Sequence, residues 1–447
     1  MACEQNQSHI HLASKVGIIG AGISGIAAAK QLSGYSPVVF EATDSIGGVW
    51  KHCSFTSTKL QTPRCDYEFS DYPWPERDNS TFPSHVEILE YLHGYATHFD
   101  VLKFIKFNSR VIEIRYVGGR STDNIQHKLS SKTSTEYGNL LKGHPVWEVA
   151  IENNQSQTVQ WYAFEFLVVC IGKYGDVPKM PSFPPNKGQE VFQGKVLHSL
   201  DYSKLDKETS RALLKGKKVA IVGYKKSAID LAVECAEANQ DHPFVEDYAS
   251  CQMAILPENF FAEADKGKIE FKKTSKWWFW NGGIEFEDNT RLEADVVLLA
   301  TGYDGKKKLQ AVLPEPFRSL IVDDSGIMPL YRSTIHPLIP NMAFVGYIES
   351  VSNLHTAELR CTWLARLADN VFKLPSVEKM LTQVTEEMQV MKRTTRFYKR
   401  HCISTFSINH SDEICEEMGW NAWRKKNWLS EAFSPYNSQD YIDEEEN

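Results

Sequence analysis

Three glycines near the N-terminus have the spacing that lets a protein backbone approach a phosphate. Gly20, Gly22 and Gly25 form a G-x-G-x-x-G turn between an apolar strand beginning at Val16 and a helix of small residues. The first glycine permits the tight turn, the second lets backbone approach a pyrophosphate, and the third lets the helix sit close to the strand. The N-terminus of that helix offers free N–H groups and partial positive charge to phosphates. The spacing predicts a dinucleotide site at Gly20, Ala21, Gly22, Ile23, Ser24 and Gly25.

A carboxylate after the next strand narrows the choice of dinucleotide. The predicted strand Ser36–Phe40 ends at Glu41, 21 positions after Gly20. A carboxylate there accepts hydrogen bonds from ribose hydroxyls and repels a 2′-phosphate. The prediction is therefore FAD or NAD at this site, and not NADP. A glycine-rich turn in an unrelated α/β protein is the alternative, which the combination of strand, helix and acidic residue disfavours.

A second unit of the same form begins at Val219. Its strand leads into a turn in which Gly223 is kept, while Lys225 and Ala228 replace the second and third glycines. These replacements weaken the pattern, although Lys225 and Lys226 would add positive charge near a phosphate. The residues assigned to a second nucleotide are Gly223, Tyr224, Lys225, Lys226, Ser227 and Ala228.

Composition excludes several classes of protein. A chain of 447 residues has room for two or more domains. Its net charge of −8 argues against a nucleic-acid binder. The nine cysteines include no C-x-x-C pair and no cluster at metal-ligand spacing, so the dithiol of a flavin disulfide reductase is absent from the sequence. The polar N-terminus and the lack of a long apolar run predict a cytoplasmic protein without a transmembrane segment, with peripheral association with the endoplasmic reticulum left open.

The remaining elements fit an α/β fold. Apolar strands are predicted at Glu165–Cys170 and Ala294–Ala300, and hairpins at Ile269–Lys273, Trp277–Trp280 and Ile284–Phe286. Helical periodicity marks Thr356–Asn370 and Ser376–Lys399.

Four further motifs carry a family resemblance along nearly the whole chain. They are Ile46-Gly47-Gly48-Val49-Trp50, Phe69-Ser70-Asp71-Tyr72-Pro73, the F-x-G-x-x-x-H-x-x-x-Y pattern of Phe192–Tyr202, and Ala300-Thr301-Gly302-Tyr303. With them the chain resembles the flavin-containing monooxygenases, and among these the plant members of the N-oxygenating group.

The resemblance implies an architecture and two cofactors. The fold would comprise two dinucleotide-binding Rossmann-like domains of the three-layer ββα type, with the NADP domain (201–292) inserted into a discontinuous FAD domain (1–200 and 293–447). FAD would also contact Gly48, Val49, Trp50, Thr301 and Gly302, although Trp50 read alone is more typical of a core residue. NADPH would bind the second turn. His198 and Tyr202 are interpreted as a structural pair.

The resemblance also implies the reaction. NADPH would reduce FAD, O₂ would form a flavin C4a-hydroperoxide, and a small amine, or alternatively a thioether, would accept one oxygen atom. Gln61 occupies the place of an asparagine beside the flavin in animal members, and its amide is the candidate for direct assistance. A polar turn residue is the equal alternative for Gln61. Oligomeric state is left open.

One part of the second unit differs from the family. Only 78 positions separate Gly223 from Thr301, and after about residue 238 the acidic stretch Asn239–Tyr248 stands where the family has a long segment with an arginine-containing strand. Two hypotheses follow: a working monooxygenase, or a shortened relative that holds FAD but is poorly reduced by NADPH. A different two-dinucleotide oxidoreductase is disfavoured by the missing dithiol and by Phe192–Tyr202.

Overall fold

The computed structural model describes residues 10–12, 14–77, 81–118, 136–238, 260–322, 327–350, 352–394, 407–425 and 427–442. The strands of these residues are β1 (Ile10–Leu12), β2 (Val16–Ile19), β3 (Val38–Phe40), β4 (Ile105–Lys106), β5 (Ser109–Tyr116), β6 (Trp147–Asn153), β7 (Val159–Phe164), β8 (Phe166–Val169), β9 (Lys195–His198), β10 (Val219–Val222), β11 (Trp277–Trp280), β12 (Gly283–Phe286), β13 (Arg291–Glu293), β14 (Val296–Leu299) and β15 (Met342–Phe344). The α-helices are α1 (Ile23–Gln31), α2 (Val49–His52), α3 (His85–His98), α4 (Ser199–Tyr202), α5 (Lys207–Leu214), α6 (Lys226–Ala238), α7 (Phe260–Asp265), α8 (Gly305–Val312), α9 (Phe317–Leu320), α10 (Asn353–Ala368), α11 (Val377–Thr394), α12 (Ser407–Glu417) and α13 (Trp428–Phe433).

The first unit is built on a parallel sheet with β2 at its centre. The strand order is β15-β8-β2-β3-β4, and Ile18 of β2 lies between Val39 and Val168 of its neighbours. All four residues of β2 are buried. Both faces of a parallel strand are covered in this architecture, which explains why β2 is apolar throughout instead of alternating.

Two different layers cover that sheet. Ile18 packs into a core shared with α1, α3 and α10, where Trp363 is fully buried. Ile19 points the other way, into a core with Phe40, Trp147 and Phe164. Successive strand residues face opposite sides, so a helical layer on one side and a second sheet on the other complete a three-layer ββα unit. The second sheet consists of antiparallel strands β5–β7, with β1 parallel to β7.

The second unit repeats this plan on a smaller scale. Its parallel sheet has the order β10-β14-β9. One face packs with Tyr202 and Leu231 of the helices, and the other with Phe279 and Ile284 of the antiparallel β11-β12-β13 meander. Two ββα units of Rossmann-like type are therefore present, and this confirms the predicted fold class.

The strand before Thr301 corrects one sequence-based expectation. The predicted limits place it in the FAD domain with the first glycine turn, but β14 pairs with β9 and β10 of the second sheet. Strands β9 and β14 both lie outside 201–292, so the boundaries predicted at 200 and 292 cut through this sheet. An apolar four-residue strand carries no signal that tells one parallel sheet from another.

The meander and the C-terminal helices follow the sequence with small shifts. Trp277–Trp280 pairs with Gly283–Phe286 as predicted, but the third strand of the meander is Arg291–Glu293 and not Ile269–Lys273. The helix predicted at Thr356–Asn370 begins earlier, at Asn353. The one predicted at Ser376–Lys399 is described from Val377 to Thr394, and its predicted end lies outside the described residues.

The two glycine-turn strands differ in their neighbours. β2 has a partner on each side, whereas β10 pairs only with β14 among the residues that the structure describes. Three of its four residues, Val219, Ile221 and Val222, are only half-buried. The expected acidic stretch Asn239–Tyr248 lies outside the described residues. Within the described part of the chain, β10 is thus an edge strand.

Candidate active site

Both units open on one continuous cleft of about 3350 Å³. The predicted site residues that line it are Gly20, Gly22, Ile23, Ser24, Glu41, Gly48, Val49, Trp50, Gln61, Gly223, Tyr224, Lys225, Lys226, Ser227, Ala228, Thr301 and Gly302. Ala21 and Gly25 are buried behind its wall. The structure therefore brings together, around one space, residues that the sequence assigned to two different nucleotides.

The first turn needs two of its glycines for the protein's own geometry. Gly20 has φ +98°, and a Cβ there would lie 2.8 Å from the carbonyl oxygen of Cys170. A Cβ on Gly25 would lie 1.8 Å from the carbonyl oxygen of Gly20. Gly22 is different, because its Cβ would meet only the Cα of Gly48, at 3.7 Å. The open side of Gly22 faces the cleft and fits the close approach of a pyrophosphate to backbone.

Glu41 closes this turn from behind. Its Oε2 accepts a 2.7 Å hydrogen bond from the Ala21 N–H, and its Oε1 accepts from the Thr43 N–H at 3.0 Å and from Thr43 Oγ1 at 2.8 Å. A carboxylate offers about four acceptor positions, so one remains for a ribose hydroxyl at the cleft. The residue is 8% exposed, which makes the carboxylate a fixed part of the site.

The glycine pair Gly47-Gly48 docks directly on the first turn. The Gly47 N–H donates to the carbonyl oxygen of Ala21 at 3.2 Å. Trp50 follows in α2, and its indole N–H donates to the Tyr67 hydroxyl at 3.3 Å while the two rings meet edge to face. Trp50 is half-buried and lines the cleft, so it serves both as a core residue and as a wall of the site.

Gln61 also lines the cleft. Its side-chain amide has no hydrogen-bond partner among the described residues, and the neighbouring Thr62 hydroxyl is buried without one. Unpaired polar groups beside an open cleft are suited to receive a ligand or cofactor.

The sequence analysis missed one whole wall of the cleft. After β15 the chain turns at Gly346 (φ +92°), where a Cβ would lie 2.5 Å from Ser24 Oγ of the first turn. Helix α10 then begins at the cleft, with Ser352 accepting from the His355 N–H as its N-cap. Its N-terminus presents a second set of backbone N–H groups to the same space. The Ser352 cap before an apolar helix was the available signal, but β15 has only three residues and no period of its own.

The second turn is built on Gly223 and an ion pair. Gly223 has φ +149°, and a Cβ there would lie 2.6 Å from the carbonyl oxygen of Ala300. Lys226 forms an ion pair with Asp230 one helical turn later. Burial raises the pKa of Asp230 to about 6, and the Lys226 ammonium opposes that rise. Lys226 is thus engaged inside the protein, contrary to the expectation that it adds free charge for phosphates.

Thr301 and Gly302 join the second sheet to the linker before it. Thr301 Oγ1 donates to the carbonyl oxygen of Lys179 at 2.5 Å, and the Lys179 N–H donates to the Gly302 carbonyl at 2.9 Å. His198 Nδ1 accepts from the Leu200 N–H, so His198 Nε2 carries the proton and donates to the Gly302 carbonyl at 3.1 Å. Burial lowers the pKa of His198 and keeps the ring neutral. These bonds agree with a structural part for His198.

The described residues contain neither a candidate metal site nor a candidate membrane-spanning helix. No group of three or more His, Cys, Asp or Glu side chains there could hold a metal ion. None of the described helices is long and apolar enough to cross a membrane.

Sequence and structure comparisons identify known proteins that this chain resembles. A sequence model of the family described as flavin-binding monooxygenase-like matches residues 13–247 and 244–425. Two Arabidopsis thaliana proteins described as flavin-containing monooxygenases 1 and 2 are each 54% identical, over 96% and 92% of this chain and 96% and 98% of their own. Among solved structures, S-allyl-L-cysteine S-oxygenase from Allium sativum has a TM-score of 0.65 at 23% identity, covering 91% of this chain and 89% of its own. The open form of cyclohexanone monooxygenase has a TM-score of 0.63 at 16% identity, covering 91% and 98%.

The fold and cleft define a protein with two dinucleotide-binding units of Rossmann-like type. With the family match and the 54% identity, the chain belongs to the flavin-containing monooxygenase family and is similar to its plant members. It is a flavin monooxygenase, a class that uses FAD and NADPH with O₂ and a small-molecule substrate.

The alignments also contain positions without a residue in this chain. The first relative aligns over 514 positions, whereas 96% of 447 residues is about 429, so about 85 positions are unmatched here. The second aligns over 457 positions, against about 411 residues for 92% of the chain, which leaves about 46. The family match itself divides at residues 244–247.

Proposed function

We propose that this chain uses NADPH and O₂ to oxygenate the nitrogen, or alternatively the sulfur, of a small molecule. The observation that carries the proposal is the shared cleft, because both glycine turns and Gln61 line one space. A nicotinamide held by one unit can then reach a flavin held by the other. The balanced reaction consumes NADPH, a proton, O₂ and substrate, and yields NADP⁺, water and the oxide.

The residues of the first turn would hold FAD. Gly22 leaves room for the pyrophosphate, Glu41 has one acceptor position for the ribose, and the N-termini of α1 and α10 both begin at the cleft. Bound FAD supplies the redox chemistry, for which the family resemblance implies a C4a-hydroperoxide. The second turn, Gly223–Ala228, would hold the pyrophosphate of NADPH.

Gln61 is proposed to assist the oxygen transfer directly. Its amide is unpaired within the described residues and lines the cleft. An amide donates and accepts hydrogen bonds without adding charge, which suits a group that must hold a polar oxygen species.

We also propose domain limits that follow the sheets. The second unit would run from about β9 to β14, residues 195–299, and the first unit would contain the chain before and after it. This assignment keeps each parallel sheet within one domain, which the limits at 200 and 292 do not.

A second candidate is a shortened relative with impaired reduction by NADPH. It is favoured by the single neighbour of β10 in the described residues, by the division of the family match at 244–247 and by the unmatched aligned positions. In a nicotinamide-binding unit the strand after the first helix brings groups to the 2′-phosphate. If that strand is lacking, the 2′-phosphate loses partners while the pyrophosphate turn remains.

Anaerobic flavin reduction separates the two candidates. The purified holoprotein is mixed with NADPH or NADH and flavin absorbance is followed. A working monooxygenase bleaches rapidly with NADPH and slowly with NADH. Slow bleaching with both, at similar rates, supports the shortened relative and contradicts the working enzyme.

Substrate class is then tested with ¹⁸O₂. A tertiary amine and a thioether with the same benzyl group are supplied in parallel, and the products are examined by mass spectrometry. One ¹⁸O atom in the amine oxide supports nitrogen oxygenation, whereas label only in the sulfoxide replaces it with sulfur oxygenation. Hydrogen peroxide without either product rejects both.

A further inference from the structure

A loop of the first unit is anchored in the core of the second. Residues 53–62 follow α2, and Phe55 within them is 6% exposed. Its ring packs with Tyr202 at a centroid distance of 5.9 Å, in a core that includes Leu231 and Leu298 of the second unit. The loop therefore crosses between the two nucleotide-binding units.

The carboxylate of Glu234 fixes the middle of this loop. Glu234 lies on α6, the helix that follows the second turn. Its Oε1 accepts from the Ser57 N–H at 3.0 Å and from Ser57 Oγ at 3.2 Å, and its Oε2 accepts from the Tyr202 hydroxyl at 3.0 Å. Burial and the charge of Glu234 raise the pKa of Tyr202, so that hydroxyl stays a donor.

The far end of the loop is tied to the first unit. The Thr58 carbonyl accepts from the His85 N–H at 3.0 Å, and the Leu60 N–H donates to the Pro83 carbonyl at 2.8 Å. Gln61 follows at once and lines the cleft. Only four residues lead from Ser57 to Gln61, a reach of at most about 14 Å, so the bonds of Ser57, Thr58 and Leu60 together fix the short segment that carries Gln61.

We infer that Glu234 is a positioning residue, which helps to hold Gln61 in the cleft through Ser57. The inference rests on the proposed function, because Gln61 acts there. Within the described part of the chain, the side-chain hydrogen bonds of Glu234 go to Ser57 and Tyr202 and not to either nucleotide turn. Loss of the Glu234 carboxylate should leave FAD binding intact and lower the amount of oxygenated product formed per NADPH consumed.

The test compares three variants of the full-length holoprotein. Glu234→Ala removes the acceptor, Glu234→Gln keeps one oxygen for Ser57, and Glu90→Gln changes an exposed glutamate of α3 as a control. Hydrogen bonds to charged groups contribute about 1.5–3 kcal/mol, so amide exchange at Ser57 should rise about tenfold or more in Glu234→Ala. Oxygenated product per NADPH should fall severalfold, with peroxide released in its place. FAD content and KM for NADPH should change little, and Glu234→Gln should recover most of the product.

Other outcomes overturn the inference. Unchanged product per NADPH with faster exchange at Ser57 means that the loop does not position Gln61. If Glu234→Ala loses bound FAD and all of its measured rates fall together, Glu234 has a purely structural role. If the wild-type protein is not reduced by NADPH, the proposed function fails separately. In that case the flavin absorption spectrum and the Ser57 exchange decide: unchanged values in Glu234→Ala reject the positioning part.

Discussion

The backbone N–H of Ala21 donates a 2.7 Å hydrogen bond to Glu41 Oε2. This bond joins the first glycine turn to the end of the next strand, so the residue proposed to bind the ribose also shapes the turn proposed to receive the pyrophosphate. A substitution at Glu41 therefore acts on FAD through two routes.

Glu41→Gln should weaken FAD binding about tenfold, because a hydrogen bond to a charged acceptor contributes about 1.5–3 kcal/mol and tenfold corresponds to 1.4 kcal/mol. The measurement is the Kd of FAD on reconstitution of the apoprotein, followed by flavin fluorescence. Thr43→Val is the control, because it removes one bond to the same carboxylate and keeps the charge. Equal affinity of Glu41→Gln and wild type would reject the ribose contact.

Alanine at Gly25 should lower the stability of the apoprotein, whereas alanine at Gly22 should lower the affinity for FAD. Gly25→Ala puts a Cβ 1.8 Å from the Gly20 carbonyl oxygen, and overpacking against backbone should cost about 3 kcal/mol or more of apoprotein stability. Gly22→Ala meets only ordinary contact, so its apoprotein should unfold within about 1 kcal/mol of wild type. Its FAD affinity should nevertheless fall, since the methyl group occupies the space for the pyrophosphate. Full FAD affinity in Gly22→Ala would show that the cofactor does not approach this backbone.

The sequence could predict this turn because every part of it is local. Strand, glycines, helix and Glu41 lie within 26 residues, from Val16 to Glu41, and each glycine has a separate steric reason. Gly346 and the start of α10 complete the same site from more than 300 positions away. Their approach to Ser24 is a long-range contact that no spacing within the sequence encodes.

The sequence pattern also could not predict which side chains pair with one another. Lys226 was interpreted as available charge because a lysine in a nucleotide turn commonly meets phosphate. Its engagement with Asp230 depends on the burial of that carboxylate. Likewise, nothing near Ser57 in the sequence indicates that its partner is Glu234, 177 positions later.

Lys226→Met should therefore lower the stability of the apoprotein more than it weakens nucleotide binding. Removing one partner of a largely buried pair leaves an uncompensated carboxylate and costs about 2–4 kcal/mol, measured by thermal unfolding without NADPH. The double variant Lys226→Met/Asp230→Leu removes both charges and should regain most of that stability. An unchanged melting temperature, combined with weaker and salt-dependent NADPH binding, would instead identify Lys226 as a phosphate contact.

Glu358 of helix α10 should make the free energy of unfolding depend on pH. The residue is 3% exposed on α10, where its Oε2 accepts from the Ser70 N–H at 2.7 Å. Burial, and then the nearby charge of Asp71, raise the pKa of Glu358 well above its usual range. Asp71 is itself held by Lys30 of α1 at 2.6 Å, so this cluster joins the two helices that begin at the cleft.

The sign of the effect follows from linkage. Glu358 is neutral in the folded chain at a pH where the unfolded chain already ionises it, so the free energy of unfolding falls as pH rises from about 4.5 toward the raised pKa. Glu358→Gln stays neutral and keeps an acceptor for Ser70. It should be as stable as wild type near pH 4 and more stable by about 1–3 kcal/mol at pH 8 to 9. Urea unfolding at several pH values measures this difference, with Glu90→Gln as an exposed control. Parallel pH profiles for Glu358→Gln and wild type would mean that Glu358 is ionised in the folded protein, and the cluster would then hold α1 and α10 together by charge pairing with Lys30.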